Sequence, residues 1–249
     1  MIDLVIGAAI GYDRSQVRPF LKSLRLNGYE GRIVLFANGG GAEEAKDWNV
    51  EVLPCQTVNT VPHAERFYWI KDYLIGAQCD GVLCADVRDI FFQSDISDLP
   101  SEGVHAYEED DCMTIKSCPY NSEWVNIGYG SDVLHQIGDR PISCVGTICG
   151  DHEAVLSHLI KLVDELKRLQ PKTHKPQDQS CHNYIITRGG VTVWNNEQGA
   201  IYTVGYIPYG TVATKGDFVI NKAGNMPSVI HQWDRHPNLV ELVERKYSC

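Results

Sequence analysis

Short apolar runs alternate with amphipathic segments over the first 95 residues. Nearly continuous apolar runs are typical of strands that are covered on both faces, and they predict strands at 2–9, 32–37, 50–53 and 81–85. Apolar positions at helical spacing predict helices from Ser15 to Gly28, around 43–48, and across Phe67 to Leu74. The turn sequence Asn38 to Gly41 closes the second strand. Strands that alternate with helices predict an α/β fold with a doubly wound sheet.

The pattern after residue 95 is more mixed, which favours a mixed rather than a wholly parallel sheet. Further strands are predicted at 104–107, 125–129, 145–149, 191–194, 201–204 and 229–231. A strongly amphipathic helix is predicted after Asp151, which would be its N-cap. Further helices are predicted at 178–186 and near 239–245. Residues 171–177 read as a polar loop. Because no repeat, low-complexity segment or linker interrupts the chain, residues 1–249 are predicted to form a single domain.

Composition excludes several classes of protein. The 249 residues carry a formal net charge of −10, whereas a nucleic-acid-binding protein needs a basic face, so no nucleic-acid partner is expected. No apolar stretch approaches the roughly 20 residues that span a bilayer, so no transmembrane segment is expected. The first residues lack a basic region and include Asp3, which predicts a cytoplasmic protein. The nine cysteines form no C-x-x-C pair and read mostly as reduced core residues.

The most informative stretch ends the predicted strand at 81–85. Asp86 and Asp89 follow the apolar run, with Arg88 between them. An open α/β sheet binds its ligand beyond the carboxyl ends of its strands, and two acids there repel each other unless a cation offsets them. A hard divalent metal that carries an anionic, oxygen-rich substrate would supply that charge. The alternative is a capped turn without chemistry, since Asp commonly initiates turns.

Two later clusters could complete such a site. His231 also ends a predicted strand, and its imidazole could join oxygen ligands around manganese, while Arg235 could hold a phosphate. Asp178 and Gln179 begin a predicted helix, on which Asp178 and His182 lie four residues apart on one face. The alternatives are a polar surface loop after an edge strand and an ordinary acidic helix N-terminus.

Weaker candidates lie at strand ends and in helices. The residues that follow the first strand permit close backbone approach to a nucleotide, and Arg66 is a candidate phosphate or base contact. A second group would line an acceptor or sugar pocket. The nucleotide candidates are Gly7, Ala8, Ala9, Tyr12 and Arg66, and the pocket candidates are Asn126, Gly146, His182, Asn183 and Trp233. Each of these has an ordinary structural alternative, such as a tight turn or a solvent-facing arginine.

The order of these motifs resembles that of metal-dependent glycosyltransferases of the GT-A fold, in particular the glycogenin-like and related retaining families. The resemblance implies a nucleotide-binding half at 1–95 and an acceptor-binding half at 96–249. It further implies that Asp86, Asp89 and His231 bind Mn²⁺ or Mg²⁺, which grips the diphosphate of a sugar nucleotide. Arg88 stands where a strict D-x-D motif has its second acid, so either Asp89 takes that ligand role, which we favour, or Arg88 contacts phosphate while Asp86 ligates. The glycine and lysine signature that follows the late histidine in the family is absent.

The function that this resemblance implies is transfer of a sugar from a nucleoside diphosphate sugar to a hydroxyl acceptor. A UDP-sugar is favoured as donor, and the acceptor is a hydroxyl-bearing glycan or small molecule. Metal and Arg235 would stabilise the departing diphosphate. Asp178 and Gln179 are the candidate catalytic residues, and Asp178 would orient or deprotonate the acceptor hydroxyl. The alternatives are a nucleotidyltransferase acting on sugar phosphates and a non-catalytic sugar-nucleotide-binding protein.

Overall fold

A seven-stranded sheet forms the centre of the protein in a computed structural model that describes residues 1–55, 62–97, 99–109, 112–169 and 177–248. Its strands are β1 (Leu4–Ala9), β2 (Arg32–Ala37), β3 (Glu51–Leu53), β4 (Gly81–Asp86), β6 (Val104–Glu108), β7 (Ser143–Asp151) and β8 (Thr192–Trp194). Their order in the sheet is β3-β2-β1-β4-β7-β6-β8. A smaller sheet contains β5 (Ile90–Phe92), β12 (Val229–His231) and β9 (Ile201–Thr203), and β10 (Thr214–Lys215) pairs with β11 (Phe218–Val219).

The large sheet is mixed. Strands β1 to β4 run parallel to one another, while β7 is antiparallel to both β4 and β6. Alternate residues of β1 belong to different hydrophobic clusters, with Val5 in one and Leu4 and Ile6 in the other. Because successive side chains of a strand point to opposite faces, both faces of the sheet are covered. The prediction of an α/β fold with a mixed sheet is confirmed.

Eight helices lie in the described part of the chain. They are α1 (Arg14–Leu26), α2 (Gly39–Lys46), α3 (Pro62–Gly76), α4 (Pro119–Tyr129), α5 (Ser131–Ile137), α6 (His152–Leu169), α7 (Asp178–Ile186) and α8 (Pro237–Tyr247). Asp151 caps α6 as predicted, since its carboxylate accepts a hydrogen bond of 2.8 Å from the amide of Ala154. None of these helices combines the length and the apolar character that crossing a membrane requires.

The prediction of a strand at 125–129 is wrong. These residues end α4, which begins with Pro119 in its first turn, where proline's missing N–H costs nothing. The buried residues Asn121, Val125 and Gly128 lie at helical spacing and face the interior. A five-residue apolar window cannot by itself distinguish a buried strand from a buried helix.

Other differences are smaller. The glycines after Asn38 begin α2 instead of closing a turn, because Gly40 and Gly41 pack against the backbone of Asp13 and Tyr12. Strand β5 and helix α5 had no counterpart in the predicted pattern. The predicted loop 171–177 lies outside the described residues except for Gln177. All eight described cysteines are free, as expected, and six of them are buried.

Candidate metal centre

Two sheets meet at the candidate site. Asp86 is the last residue of β4 in the large sheet, and the chain then turns through Asp89 into β5 of the small sheet. Strand β12 pairs antiparallel with β5, with His231 opposite Ile90. This register brings His231 beside Asp89, although the two lie far apart in the sequence. Strand pairing between distant segments therefore assembles the centre.

The three side chains have the spacing of a metal site. Nε2 of His231 lies 3.5 Å from an oxygen of Asp86 and 3.6 Å from an oxygen of Asp89. One ligand atom from each residue lies within 4.8 Å of the others. The His231 side chain is completely buried, and its Nε2 has no good hydrogen-bond partner among the described residues. Two carboxylate oxygens and one imidazole nitrogen around a shared space fit a divalent cation.

The protonation of His231 depends on the same neighbours. Burial by itself would lower the pKa of this imidazole, but the nearby Cys144 and Asp89 favour its charged form and raise the pKa to about 10. The pKa of Asp89 is lowered, because His231, Arg88 and Arg235 outweigh the opposing effect of burial. Nδ1 of His231 lies 3.7 Å from the sulfur of Cys144. Because a metal binds the neutral imidazole, a cation at Nε2 would release a proton from His231.

Gly146 is the residue that leaves room for the ligands. It lies on β7 next to Thr147, which pairs with Ala85 of β4. A Cβ atom at position 146 would lie 2.5 Å from an oxygen of Asp86 and 2.6 Å from Cε1 of His231. The sequence predicted Gly146 in an acceptor pocket, whereas the structure places it against Asp86 and His231 of the candidate metal centre.

Arg66 links Asp86 to the second predicted cluster. Its guanidinium group, on α3, forms an ion pair with Oδ1 of Asp86 and lies 3.7 Å from Oδ2 of Asp178 at the start of α7. Asp86 thus uses one oxygen for Arg66, while the other faces His231. The structure therefore brings together three groups of predicted residues: the strand-end acids, the late histidine and Asp178.

Gln179 points into the protein beside this site. Its side-chain oxygen Oε1 accepts a hydrogen bond of 2.9 Å from the backbone amide of Val145 on β7, and its Nε2 donates one of 2.6 Å to Glu109. Both Gln179 and Glu109 are buried. Gln179 was predicted to act in catalysis, and in this arrangement it joins α7 to the sheet.

His182 and Asn183 are also engaged in the interior. His182 is fully buried, with one ring nitrogen 2.9 Å from the hydroxyl of Ser143 and the other 3.1 Å from a nitrogen of His158. The Asn183 side chain accepts a hydrogen bond from the amide of Ser143 and donates one to its carbonyl. The structure does not bring these two predicted pocket residues to the metal centre.

Arg88 and Trp233 lie on the other side of the strand-end turn. Arg88 is half exposed and donates to Asp234 over 2.9 Å, and Trp233 packs edge-on against Phe91 with ring centres 6.4 Å apart. Both line a cavity of about 340 Å³ next to α1 and α8. Of the two residues that could take the second ligand role, the structure places Asp89 beside His231.

Arg235 lies close to Asp89, whereas Asn126 lies on an exposed part of α4. The Arg235 guanidinium lies 5.9 Å from the ring centre of Tyr206 and is close enough to Asp89 to lower that carboxyl's pKa. Asn126 is exposed on α4. Its backbone carbonyl accepts the amide of Gly130, so it contributes to the end of the helix.

The end of β1, where the sequence predicts nucleotide-binding residues, lies beside Asp86. Ala8 pairs with Asp86, and Gly7 packs so closely that a Cβ atom would lie 2.6 Å from the carbonyl oxygen of Ala85. Ala9 is buried, and Tyr12 is half-buried against the core. These residues therefore lie at or just beyond the end of β1, next to the end of β4 that carries Asp86.

Sequence reasoning missed four neighbours of the site: Glu109, Cys144, Tyr206 and Gln232. Glu109 follows β6 as Asp86 ends β4, and the same signal of acids at a strand end could have identified it. Gln232 directly follows His231 and adopts a left-handed conformation with φ of 63°. Nothing in the local sequence distinguishes Cys144 from other core residues or Tyr206 from other partly buried aromatic residues.

Comparison of the sequence with models of protein families and with curated proteins finds no match in either set.

Proposed function

We propose that this protein is a metal-dependent glycosyltransferase of the GT-A type that moves a sugar from a nucleoside diphosphate sugar to a hydroxyl acceptor. The observation that carries the proposal is the cluster of Asp86, Asp89 and His231 where β4 leaves the large sheet. A cation held there would face the crevice beyond the strand ends, where α/β sheets bind nucleotides. A diphosphate needs such a charge, because its own anionic oxygens would otherwise meet two carboxylates.

The ligand set favours Mn²⁺ over Mg²⁺, because an imidazole nitrogen suits Mn²⁺ better than the harder Mg²⁺. When bound, the cation would supply positive charge that stabilises the leaving diphosphate. Arg235 lies close to Asp89 and would add a bidentate donor for phosphate oxygens. A uridine base is favoured by the family resemblance alone.

Asp178 is the group best placed to act on the sugar side. It is 7% exposed, and one of its carboxylate oxygens lies 3.7 Å from the guanidinium group of Arg66. A carboxylate in this position accepts a hydrogen bond from a sugar or acceptor hydroxyl and so orients it. Arg66 contacts both Asp86 and Asp178, and would keep the two carboxylates at a fixed separation while substrate binds.

Thermal unfolding with nucleotides and Mn²⁺ tests the metal-dependent part of the proposal. A nucleoside diphosphate should raise the melting temperature by about 5–10 °C at roughly 100 times its Kd, and only when Mn²⁺ is present. Asp89→Asn and His231→Ala should abolish the shift. Asp217→Asn is the control, because Asp217 is an exposed acid that pairs with Arg245 away from the site. An equal shift without metal, kept in both site variants, would contradict the proposal.

Turnover separates a transferase from its alternatives. A glycosyltransferase should slowly hydrolyse the matching sugar nucleotide when acceptor is absent, releasing nucleoside diphosphate, and Asp178→Asn should reduce this rate at least about tenfold. Release of pyrophosphate from a nucleoside triphosphate and a sugar phosphate would instead identify a nucleotidyltransferase. Metal-dependent binding without either reaction would identify a sugar-nucleotide-binding protein.

A further inference from the structure

Glu109 is a buried carboxylate that no step of the proposed reaction uses. It directly follows β6, and 7% of its surface is exposed. One of its oxygens accepts a hydrogen bond of 2.6 Å from Nε2 of Gln179, and the other accepts one of 3.2 Å from Nε2 of Gln232. These two glutamines belong to segments that are distant in the sequence, so a single carboxylate joins three parts of the chain.

Gln232 connects Glu109 to the metal-binding residues. It follows His231 and has a φ of 63°, which residues other than glycine rarely adopt without support from the surrounding structure. Its backbone amide donates a hydrogen bond of 2.7 Å to the carbonyl of Asp89. The conformation of Gln232 therefore sets the direction of the backbone at His231 and its distance from Asp89.

Gln179 connects Glu109 to the sugar side of the site. It follows Asp178 on α7, and its side-chain oxygen Oε1 accepts a hydrogen bond from the backbone amide of Val145 on β7. Val145 precedes Gly146, which packs against Asp86 and His231. The hydrogen bond to Val145 joins the first turn of α7 to β7, and the one to Glu109 joins it to the end of β6, so together they fix the position of Asp178.

We propose that Glu109 is a positioning residue that sets the geometry of the metal centre through Gln232 and that of Asp178 through Gln179. The inference rests on the proposed function only where it concerns a bound cation. Only a carboxylate presents an acceptor oxygen to both amide groups at once. A glutamine at position 109 would offer one oxygen and one NH₂ group, so it must lose one of the two hydrogen bonds.

Glu109→Gln tests the role, with Glu44→Gln as its matched control. Glu44 is also buried, and its carboxylate accepts hydrogen bonds from Arg18 and Trp48 near α1 and α2, away from the metal centre. Both variants should lose stability. Only Glu109→Gln should weaken Mn²⁺ binding, by about 10- to 100-fold in calorimetry, as expected when a residue that orients a metal ligand is changed. It should also alter the electron paramagnetic resonance spectrum of bound Mn²⁺.

A metal-free measurement keeps this inference distinct from the proposed function. In the protein without metal, Glu109→Gln should accelerate hydrogen exchange of the Gln232 amide at least about tenfold, while Glu44→Gln leaves that rate unchanged. Gly205→Ala should act in the same direction, because its methyl group would overlap Oε1 of Gln232.

The outcomes separate clearly. If Gln232 exchange and Mn²⁺ affinity both stay at wild-type values in Glu109→Gln, Glu109 is merely structural and the inference is overturned. If the wild-type protein binds no Mn²⁺ but the exchange rate responds as expected, the positioning role stands and the proposed metal-dependent function fails.

Discussion

At the scale of single residues, the absence of a side chain at Gly146 matters as much as the presence of the three ligands. Gly146→Ala should weaken Mn²⁺ binding by at least about 100-fold, because the new methyl group would occupy the space between Asp86 and His231. The same overpacking should lower the free energy of unfolding by about 1–3 kcal/mol. Calorimetric titration with Mn²⁺ measures the first effect, and urea unfolding measures the second.

Gly76→Ala is the control for this substitution. Apart from the adjacent backbone of its own helix, no described atom lies within 4 Å of the place where a Cβ would be built at position 76, and its φ is not positive. It should therefore bind Mn²⁺ as the wild type does. Wild-type affinity in Gly146→Ala would show that the cation does not lie between Asp86 and His231.

The residues of the centre differ in how far the sequence could reveal them. Asp86 and His231 were predictable because each ends an apolar run, and a charged or polar residue at that point lies at a sheet edge. Gln179 and His182 were not separable from Asp178, because seven of the nine residues in α7 are buried and its sequence has no distinct polar face. Their burial depends on β7 and α6, which cover the helix from two sides.

At the scale of elements, a chain of buried polar groups joins α6, α7 and β7. His158 and His182 are bonded to each other, and His182 is bonded to Ser143. Burial lowers the pKa of His158 to about 4 and that of His182 well below its usual range, so both imidazoles are neutral in the folded protein. The stability that this neutral pair contributes is present above pH 6.5 and is lost as the pH falls towards 4.

Acid should therefore destabilise the protein more than its His158→Gln variant. Between pH 7 and pH 5 the unfolded chain takes up a proton at position 158 that the folded protein refuses, which removes about 2 kcal/mol of stability. Urea unfolding at the two pH values should show this difference between the wild type and the variant. His135→Gln, a change at an exposed histidine, should keep the wild-type dependence on pH. Identical slopes in all three proteins would contradict the assignment.

Helix α4 illustrates why some elements escape prediction. Val125, Ile127 and Tyr129 favour strands by propensity, yet they lie in a helix that buries Asn121, Val125 and Gly128 against its neighbours. Tertiary packing of this face outweighs a local preference that is worth only about 1 kcal/mol across the whole scale. The long α6, by contrast, was predictable because its apolar positions repeat over five turns.

At the scale of the whole molecule, the candidate metal centre lies between two sheets. Asp86 belongs to the seven-stranded sheet and His231 to the three-stranded one, so a cation bound by both would link them. Mn²⁺ should slow hydrogen exchange by at least about tenfold at the end of β4 and throughout β12. Exchange followed by mass spectrometry with and without Mn²⁺ measures this change.

The hairpin of β10 and β11 provides an internal reference for that experiment. It forms a separate two-stranded sheet and contributes none of the three ligands, so its exchange should not respond to Mn²⁺. A uniform response over the chain, hairpin included, would indicate general stabilisation instead of a link between the two sheets.

The sequence alone determined the α/β class of this protein and which acidic and imidazole side chains stand at the strand ends. Apolar runs and helical spacing are local properties of the sequence, and each reflects which residues of an element are buried. For this reason the sequence predicted β1, β2, β4, β12 and α7 closely. Only the tertiary structure decided which strand ends meet. The pairing of β5 with β12 places His231 beside Asp89, and the end of β6 brings Glu109 between Gln179 and Gln232. Such contacts depend on the register between segments that are distant in the sequence. The hydrophobic pattern of both paired strands sets that register, so it cannot be determined from one segment alone.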